Sequence, residues 1–257
     1  MPTANRLSSG LSGRDYFADL FRKDLAFEVE WLRRTAGHKA DSIEQLLRNA
    51  GAAPESVLEI GAGTGAVIAE LRRRGIGSRH YAVDFSEEAV GVLRQAHPDI
   101  AAATADVTDV PDPFGEGPYD VGVASHVVEH LEDPEGFLRA LLDVPMDRLV
   151  LEVPLEDLFF GKVKAALKDR ADHVAGHVQF FDRGSFLALV GRSGWHVDDV
   201  RVYAPVLSRE TFAFAYGGRS VAKRSAKFAT EYLLPRLLGN LWTGTYHAHY
   251  AVLCRKR

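Results

Sequence analysis

The chain has 257 residues, of which 46% are hydrophobic and 26% are charged, and its formal net charge is −4. This length predicts one large domain, or one domain that carries a cap and insertions. The mild negative charge argues against nucleic acid as the main partner, because phosphate binding requires a basic surface.

The sequence contains one cysteine, Cys254, so an internal disulfide is excluded. The simplest interpretation is a reducing compartment, which is the cytoplasm. No apolar stretch reaches the roughly 18 residues of a transmembrane helix, and the first residues lack the apolar core of a signal peptide. We therefore expect a cytoplasmic protein with no integral membrane segment.

Residues 1–54 are predicted to form an N-terminal helical cap. Apolar residues recur at helical spacing over 13–49, and a second helix is expected to begin at Ser42. Pro54 closes this region before the first strand. The sequence leaves open whether the cap only covers the sheet or also closes a cofactor pocket.

Between Val57 and Val153, apolar strands alternate with amphipathic helices. The predicted elements are strands near 56–60, 80–84, 100–104, 119–124 and 148–153, and helices near 65–74, 86–96 and 134–143. Such alternation is typical of an α/β fold with a doubly wound, mostly parallel sheet. Ligands of this architecture bind at the carboxyl ends of the strands.

The regular alternation lapses after Pro154, although three later segments return to the core pattern. These segments are a helix over 182–192, a strand over 196–203 and a last strand from Tyr246 to Leu253. The predicted core therefore comprises 55–154 and 177–257, and it is interrupted by two insertions.

The insertions, 155–176 and 205–243, are predicted to form a lid over the strand ends. The second of them contains a basic run over 219–227 and then an apolar helix near 232–238. Such a basic run is more often a solvated face, and contact with an anionic carrier, a phosphate or a membrane surface stays open. The apolar helix is the candidate for a homodimer interface.

The stretch 57–66 reads as a buried strand, a glycine-rich turn and the start of a helix. Gly61, Gly63 and Gly65 let the backbone approach a ligand closely, and the helix start offers free N–H groups. This combination predicts a nucleotide cradle. Glu59 ends the strand, where a buried carboxylate is costly unless it meets a cation or a donor. We take that partner to be a ligand amine.

Further polar residues follow the next strands. Asp84 ends the second strand about twenty residues past the glycines, where an acid can accept both hydroxyls of a ribose. Asp106 ends the third strand, and Ser125 and His126 follow the fourth. Because the carboxyl ends of parallel strands share one edge of the sheet, we expect these side chains to lie close together.

Together with the run Glu129–Pro134, these residues resemble the class I S-adenosylmethionine-dependent methyltransferases of the bacterial small-molecule type. In that family the first strand ends in an acid before G-x-G-x-G, the second in a ribose-binding acid, and the third in an Asp near the adenine amine. The resemblance covers 56–153 closely and 177–203 loosely. It implies a seven-stranded, Rossmann-like methyltransferase fold, S-adenosylmethionine as cofactor and S-adenosylhomocysteine as product.

The resemblance also implies a role for each matching residue. Glu59 would face the methionine amine, Asp84 would hold the ribose, and Phe85 would pack on the adenine face. Asp106 would accept a hydrogen bond from the adenine amine, beside Val107. The implied cofactor residues are Glu59, Gly61, Gly63, Gly65, Asp84, Phe85, Asp106, Val107, Ser125 and His126.

Methyl transfer from a sulfonium needs alignment above all, and it needs a base only when the acceptor must lose a proton. Histidine suits that task near neutral pH, and the predicted catalytic residues are His126 and His177. The other candidates for the base are His130, His173 and Glu152. His173 and His177, four residues apart, could share a helix face, and Glu152 could complete a metal site. Gly176 interrupts that helix, however, so no metal is predicted.

A small-molecule acceptor is expected, and we favour a hydroxyl oxygen of a natural product or a sugar-containing compound. Several histidines can serve as a base for such an oxygen, and the insertions are rich in Phe and Tyr. Two alternatives stay open. The glycines and Asp84 also satisfy the fingerprint of an NAD-dependent oxidoreductase, although Glu59 stands where that fold usually keeps an apolar residue. The other alternative is a non-catalytic cofactor-binding module.

Overall fold

A computed structural model describes residues 13–156, 176–243 and 248–257. Its first element is one continuous helix, α1 (Gly13–Asn49). The predicted separate helix from Ser42 is wrong, because no proline interrupts this stretch and Ser42 is fully buried within α1. The Arg74 guanidinium donates to the carbonyl of Gly37 at 3.0 Å, which anchors the middle of α1.

Strands and helices alternate strictly in the first half of the sheet. In chain order the elements are β1 (Ser56–Ile60), α2 (Ala66–Arg73), β2 (Arg79–Asp84), α3 (Glu87–Ala96) and β3 (Ala101–Thr104). These bounds agree with the predicted elements to within one or two residues.

The second half of the sheet holds the longer strands. Its elements are β4 (Tyr119–Ser125), a 3₁₀ turn (Val128–His130), α4 (Pro134–Ala140), β5 (Met146–Leu155), α5 (Arg183–Arg192), β6 (Trp195–Tyr203) and, last in the chain, β7 (Ala248–Lys256).

The segment between β6 and β7 is helical. It contains α6 (Arg209–Tyr216), α7 (Val221–Phe228), a π-helical turn (Ala229–Leu233), α8 (Leu234–Leu238) and α9 (Asn240–Thr243). Among the described residues, no helix combines the length and the apolar character that crossing a membrane requires.

The seven strands pair in the order β3-β2-β1-β4-β5-β7-β6. All neighbours are parallel except β7, which runs antiparallel to both β5 and β6. The predicted doubly wound, mostly parallel seven-stranded sheet is confirmed. The strand order reverses between β1 and β4, so their carboxyl ends flank the crevice in which such sheets bind ligands.

Helices cover both faces of this sheet. Every residue of β1 is buried, as expected for a parallel strand between two helical layers. One apolar layer packs α1 and α2 on the sheet, and the other packs α4 and α5 on the opposite face. In the second layer the indole N–H of the fully buried Trp195 donates to the carbonyl of Leu138 at 2.8 Å.

Two strand boundaries differ from the predictions. β5 continues to Leu155, so Glu152 lies inside the strand and not at its end. The last strand continues to Lys256 instead of ending at Leu253, because its pairing with β5 and β6 persists to that end. Its predicted start, Tyr246, lies outside the described residues.

The turn before α2 requires a glycine at position 65. Gly65 has a φ of +79°, and a Cβ there would lie 2.6 Å from Cγ of Leu93. We expect Gly65→Ala to lower the free energy of unfolding by about 2–4 kcal/mol, through left-handed strain and overpacking together. Urea unfolding of the cofactor-free protein measures this loss.

Gly75→Ala is the matched control. Gly75 also has a positive φ, +71°, but a Cβ added there would meet no heavy atom of the described residues within 4 Å. Backbone strain alone predicts a loss of about 1–2 kcal/mol. Equal losses in the two variants would show that contact with Leu93 does not constrain the turn.

Candidate active site

The glycine turn between β1 and α2 lies at the carboxyl edge of the sheet. Gly61, Gly63 and Gly65 all have left-handed φ values, +70°, +53° and +79°. The N–H of Gly61 donates to the carbonyl of Val83 in β2. A Cβ on Gly61 would lie 2.5 Å from Val127, so the loop after β4 packs directly on this turn.

Glu59 is almost fully buried, with 3% of its surface exposed. One carboxylate oxygen accepts the backbone N–H of Ile68 in α2 at 2.9 Å. Burial raises the pKa of Glu59 to about 8, and the nearby Asp84 adds to this rise, whereas the Ile68 N–H and the charge of Lys39 oppose it. The apo protein therefore holds a proton here that an arriving cation would displace.

Lys39 was not among the predicted site residues. It lies in α1 with only 9% of its surface exposed, and its charge acts on both Glu59 and His126. A buried ammonium beside a buried carboxyl is complementary to the two charges of an amino acid. Helix α1 therefore places a charged residue near the strand edge.

Asp84 ends β2 and is also buried. Its carboxylate accepts the N–H of Gly63 at 2.8 Å and the N–H of Ser86 at 2.9 Å. Burial raises the pKa of Asp84, although these backbone hydrogen bonds and that of Phe85 oppose the rise. The acid therefore holds the glycine turn and lies at the edge where the ribose is expected.

The predicted adenine residues follow β2 and β3. Phe85 is 40% exposed, whereas Val107 is 3% exposed and packs into the core. Asp106 accepts the N–H of Thr108 at 3.0 Å and its hydroxyl at 2.7 Å. All three residues lie on the strand-end edge that the sequence predicts.

Ser125 and His126 stand where β4 ends. His126 has a φ of +60°, which is rare for a residue with a side chain, and its N–H donates to the carbonyl of Glu152 at 2.8 Å. The buried hydroxyl of Ser125 has no hydrogen-bond partner in the part of the chain that is described. The strained turn holds the His126 imidazole at the strand edge.

The His126 imidazole belongs to a buried network around Glu152. Its Nε2 lies 3.1 Å from Nδ1 of His249 and 3.3 Å from Oε1 of Glu152. The Tyr203 hydroxyl donates to the same Glu152 oxygen at 2.7 Å. Tyr203 and His249, which sequence reasoning missed, come from β6 and β7.

Two carboxylates, Glu129 and Glu152, determine the direction in which the pKa of His126 shifts. Burial and the charge of Lys39 lower the pKa of His126, but Glu129 and Glu152 outweigh both and raise it above its ordinary value. Conversely, the pKa of Glu152 lies well below its ordinary range: burial opposes this, while His126 and His249 cause it. Glu152 is therefore an anion that stabilises positive charge on the imidazole.

A comparison with known protein families identifies the family to which this chain belongs. A family model described as a methyltransferase domain matches residues 31–200. The chain belongs to this methyltransferase family. The match covers the glycine turn and the ends of all the parallel strands. A search of curated proteins finds no match.

Solved structures share the methyltransferase fold at low sequence identity. Magnesium protoporphyrin IX methyltransferase from Synechocystis PCC 6803, crystallised with S-adenosylhomocysteine, is 16% identical with a TM-score of 0.56, and the match covers 89% of this chain and 86% of that one. The same enzyme has been crystallised with S-adenosylmethionine. The [4+2]-cyclase SpnF is 13% identical with a TM-score of 0.54, over 86% of this chain and 81% of its own.

The cofactor of this methyltransferase is S-adenosylmethionine. The residues at the strand edge fit it, because glycines without side chains let a ligand approach the turn closely and the buried Glu59 and Lys39 suit an amino acid end. Phe85, which is 40% exposed, offers an aromatic side chain to a purine. Neither the family model nor the solved structures named above are NAD-dependent oxidoreductases.

The remaining predicted histidines have different positions in the methyltransferase. His177 is 7% exposed, its Nδ1 lies 2.5 Å from Oε2 of Glu156, and its ring packs edge-on against that of His130. Glu152 lies near His126 and His249 and not near His177. His173 lies outside the described residues.

Proposed function

We propose that this methyltransferase transfers the methyl group of S-adenosylmethionine to a hydroxyl oxygen of a small molecule, a natural product or a sugar-containing compound. The observation that carries the proposal is the position of His126. It lies at the carboxyl end of β4, and the next residue, Val127, packs on Gly61 of the cofactor turn. A base on this turn can reach the acceptor beside the cofactor.

In the proposed reaction, S-adenosylmethionine supplies an activated methyl group on a sulfonium. The acceptor O–H bond breaks, and its proton goes to the neutral imidazole of His126 once the acceptor replaces a partner of one ring nitrogen, Glu129 at Nδ1 or His249 and Glu152 at Nε2. The bound cofactor would supply the methyl group to the acceptor oxygen, and its sulfur would keep the electron pair of the carbon–sulfur bond. Glu152, 3.3 Å from Nε2, stabilises the charge that His126 acquires.

The same strand edge supports the remaining cofactor assignments. Glu59 binds the amine and Lys39 the carboxylate of the methionine part, and Asp84 binds the ribose. Phe85 and Val107 flank the adenine. Asp106 accepts from its amine. Gly61, Gly63 and Gly65 line the cofactor path, and Ser125 with His126 adjoins the sulfonium.

We propose that the helical cap and the insertion 205–243 form one lid over the acceptor. The Phe27 ring of α1 stacks on the Phe214 ring of α6, with centroids 4.9 Å apart. The insertion 155–176 is assigned to the same lid from sequence.

The apolar helix near 232–238 is proposed as a homodimer interface. Its residue Leu237 is 69% exposed, which supports this use, and light scattering tests it. The single cysteine, buried in β7, supports a cytoplasmic location.

Asp84→Asn tests the cofactor assignment. We expect the variant to bind S-adenosylmethionine more weakly by about 1–3 kcal/mol, because a charge-assisted hydrogen bond to the ribose is lost. Calorimetry measures the affinity. The matched control is Asp120→Asn at the opposite edge of the sheet, where Asp120 accepts the N–H groups of Glu55 and Ser56. Equal affinity in wild type and Asp84→Asn would remove the ribose assignment.

The acceptor class is tested with labelled cofactor and a panel of phenols, glycosides and amines of matched size. We expect methyl transfer to hydroxyl compounds. Transfer only to the amines would contradict oxygen as the acceptor atom. Cofactor binding with no transfer to any compound would favour the non-catalytic module.

A further inference from the structure

A second histidine cluster lies beside the proposed base, around Glu129 of the 3₁₀ turn. Glu129 has no exposed surface, and neither of its carboxylate oxygens receives a well-directed hydrogen bond from the described residues. The closest donor group, Nδ1 of His126, is 3.0 Å from Oε1. Apart from this ion-pair contact, the buried carboxylate lacks the hydrogen bonds that usually offset the cost of burial.

His130 and His177 surround the Glu129 carboxylate. One ligand atom from each of the three residues lies within 4.8 Å of the other two, and Nε2 of His130 is 3.8 Å from Oε1 of Glu129. Atoms that bind one tetrahedral Zn²⁺ ion at 2.0–2.1 Å are about 3.3 Å apart. Small side-chain shifts therefore bring the three residues to coordination distance.

The Nδ1 atoms of His130 and His177 already have hydrogen-bond partners on the side away from Glu129. Nδ1 of His130 lies 3.3 Å from the carbonyl of Gly176, and Nδ1 of His177 lies 2.5 Å from Oε2 of Glu156. Metal-binding histidines show this pattern, in which a carbonyl or carboxylate accepts one N–H and directs the other nitrogen at the ion. Hydrogen bonds at Nδ1 thus assign Nε2 as the ligand atom in both rings.

We propose that Glu129, His130 and His177 bind one divalent cation of the zinc class. Two imidazoles and one carboxylate are a ligand set of zinc and of non-haem iron sites. The neighbouring set of His126, Glu152 and His249 does not carry this proposal. There the two rings contact each other at 3.1 Å and Tyr203 donates to Glu152, so a hydrogen-bond network already uses these groups.

Three protein ligands leave at least one coordination position open, which is typical of catalytic rather than structural zinc sites. An acceptor hydroxyl in that position would lose its proton more readily. This role of the ion, unlike its binding, depends on the proposed function.

Zn²⁺ binding to the full chain tests the proposal. The protein is treated with a chelator, dialysed and titrated with ZnCl₂ against a chromophoric chelator. We expect one equivalent to bind, and we expect Glu129→Gln to abolish this binding. Glu156→Gln should weaken it about 10–100-fold, because the carboxylate orients His177.

Glu152→Gln is the matched control, because Glu152 is also fully buried but belongs to the other set. It should keep the stoichiometric binding. The proposal is overturned if wild type binds no Zn²⁺, if Glu129→Gln binds as wild type does, or if only Glu152→Gln loses the ion. Should Glu129→Gln not fold, Glu156→Gln decides, because its side chain is partly exposed at 18%.

The experiments can contradict the cation site without contradicting the proposed methyl transfer, and the reverse. Calorimetry should give equal S-adenosylmethionine affinity with and without the chelator. Bound zinc with chelator-resistant methyl transfer would keep the cation site and remove its role at the acceptor. Bound zinc without transfer to any hydroxyl compound would contradict the proposed function alone.

Discussion

His126→Asn is expected to lower the turnover of methyl transfer about 10²–10⁴-fold, the usual contribution of a general base, with the affinity for S-adenosylmethionine essentially unchanged. The variant keeps the backbone turn, because Asn tolerates the left-handed φ of +60° that His126 adopts. The loss would therefore report the missing imidazole. The rate is measured on the acceptor that the wild-type protein methylates fastest.

His80→Asn is the control for the loss of a buried histidine. His80 lies in β2 at the opposite edge of the sheet, 7% exposed, with Nε2 2.9 Å from the carbonyl of Ile76. This variant should lose some stability and keep its turnover. Added imidazole should restore part of the rate in His126→Gly only. An unchanged rate in His126→Asn would contradict His126 as the base and would mean that another group, or no group, accepts the proton.

The fold follows from local sequence patterns. Each strand of the parallel half is a short apolar run, each helix has one apolar face, and the alternation of the two determines the layers. The single helix α1 was harder to predict, because Ser42 resembles a helix start. Its burial against the sheet, which only the tertiary structure shows, removes that role.

The cofactor turn was also predictable, because its residues lie within ten positions of one another or directly at strand ends. The surroundings of His126 were not. His249 and Tyr203 reach Glu152 through register: β7 is antiparallel to both neighbours, with His249 opposite Pro154 and Tyr203. Sequence gives no such register for strands so far apart in the chain. The two histidines of the predicted last strand, His247 and His249, were the only signal in the sequence.

Glu59 is expected to make the stability of the apo protein fall as the pH rises. Its pKa is about 8 in the folded protein against an ordinary value of 4.5, so the folded state holds a proton that the unfolded chain has released. The stabilisation is fully present below about pH 4.5 and is lost as the pH rises through about 8. We expect a decrease in the free energy of unfolding on the order of a few kcal/mol.

Glu59→Gln isolates this contribution. The amide mimics the protonated acid, so the variant should lack this pH dependence and should be more stable than wild type at about pH 9. Lys39 from α1, Asp84 from β2 and the N–H of Ile68 face the group, and the substitution leaves all of them in place. Urea unfolding across this pH range gives both curves. Parallel curves would show that Glu59 is ionised throughout.

Cofactor binding should reverse the protonation of Glu59. A ligand ammonium beside the carboxyl favours its charged form, so binding of S-adenosylhomocysteine near pH 7 should release about one proton. Calorimetry in buffers of different ionisation enthalpy counts that proton. Glu59→Gln should bind more weakly and release none, whereas Asp84→Asn should bind more weakly and still release it. If wild type and Glu59→Gln released the same number of protons, the assignment of the ligand amine to Glu59 would be contradicted. Cofactor binding would then not explain why the protein keeps a buried acid that lowers the stability of its apo form.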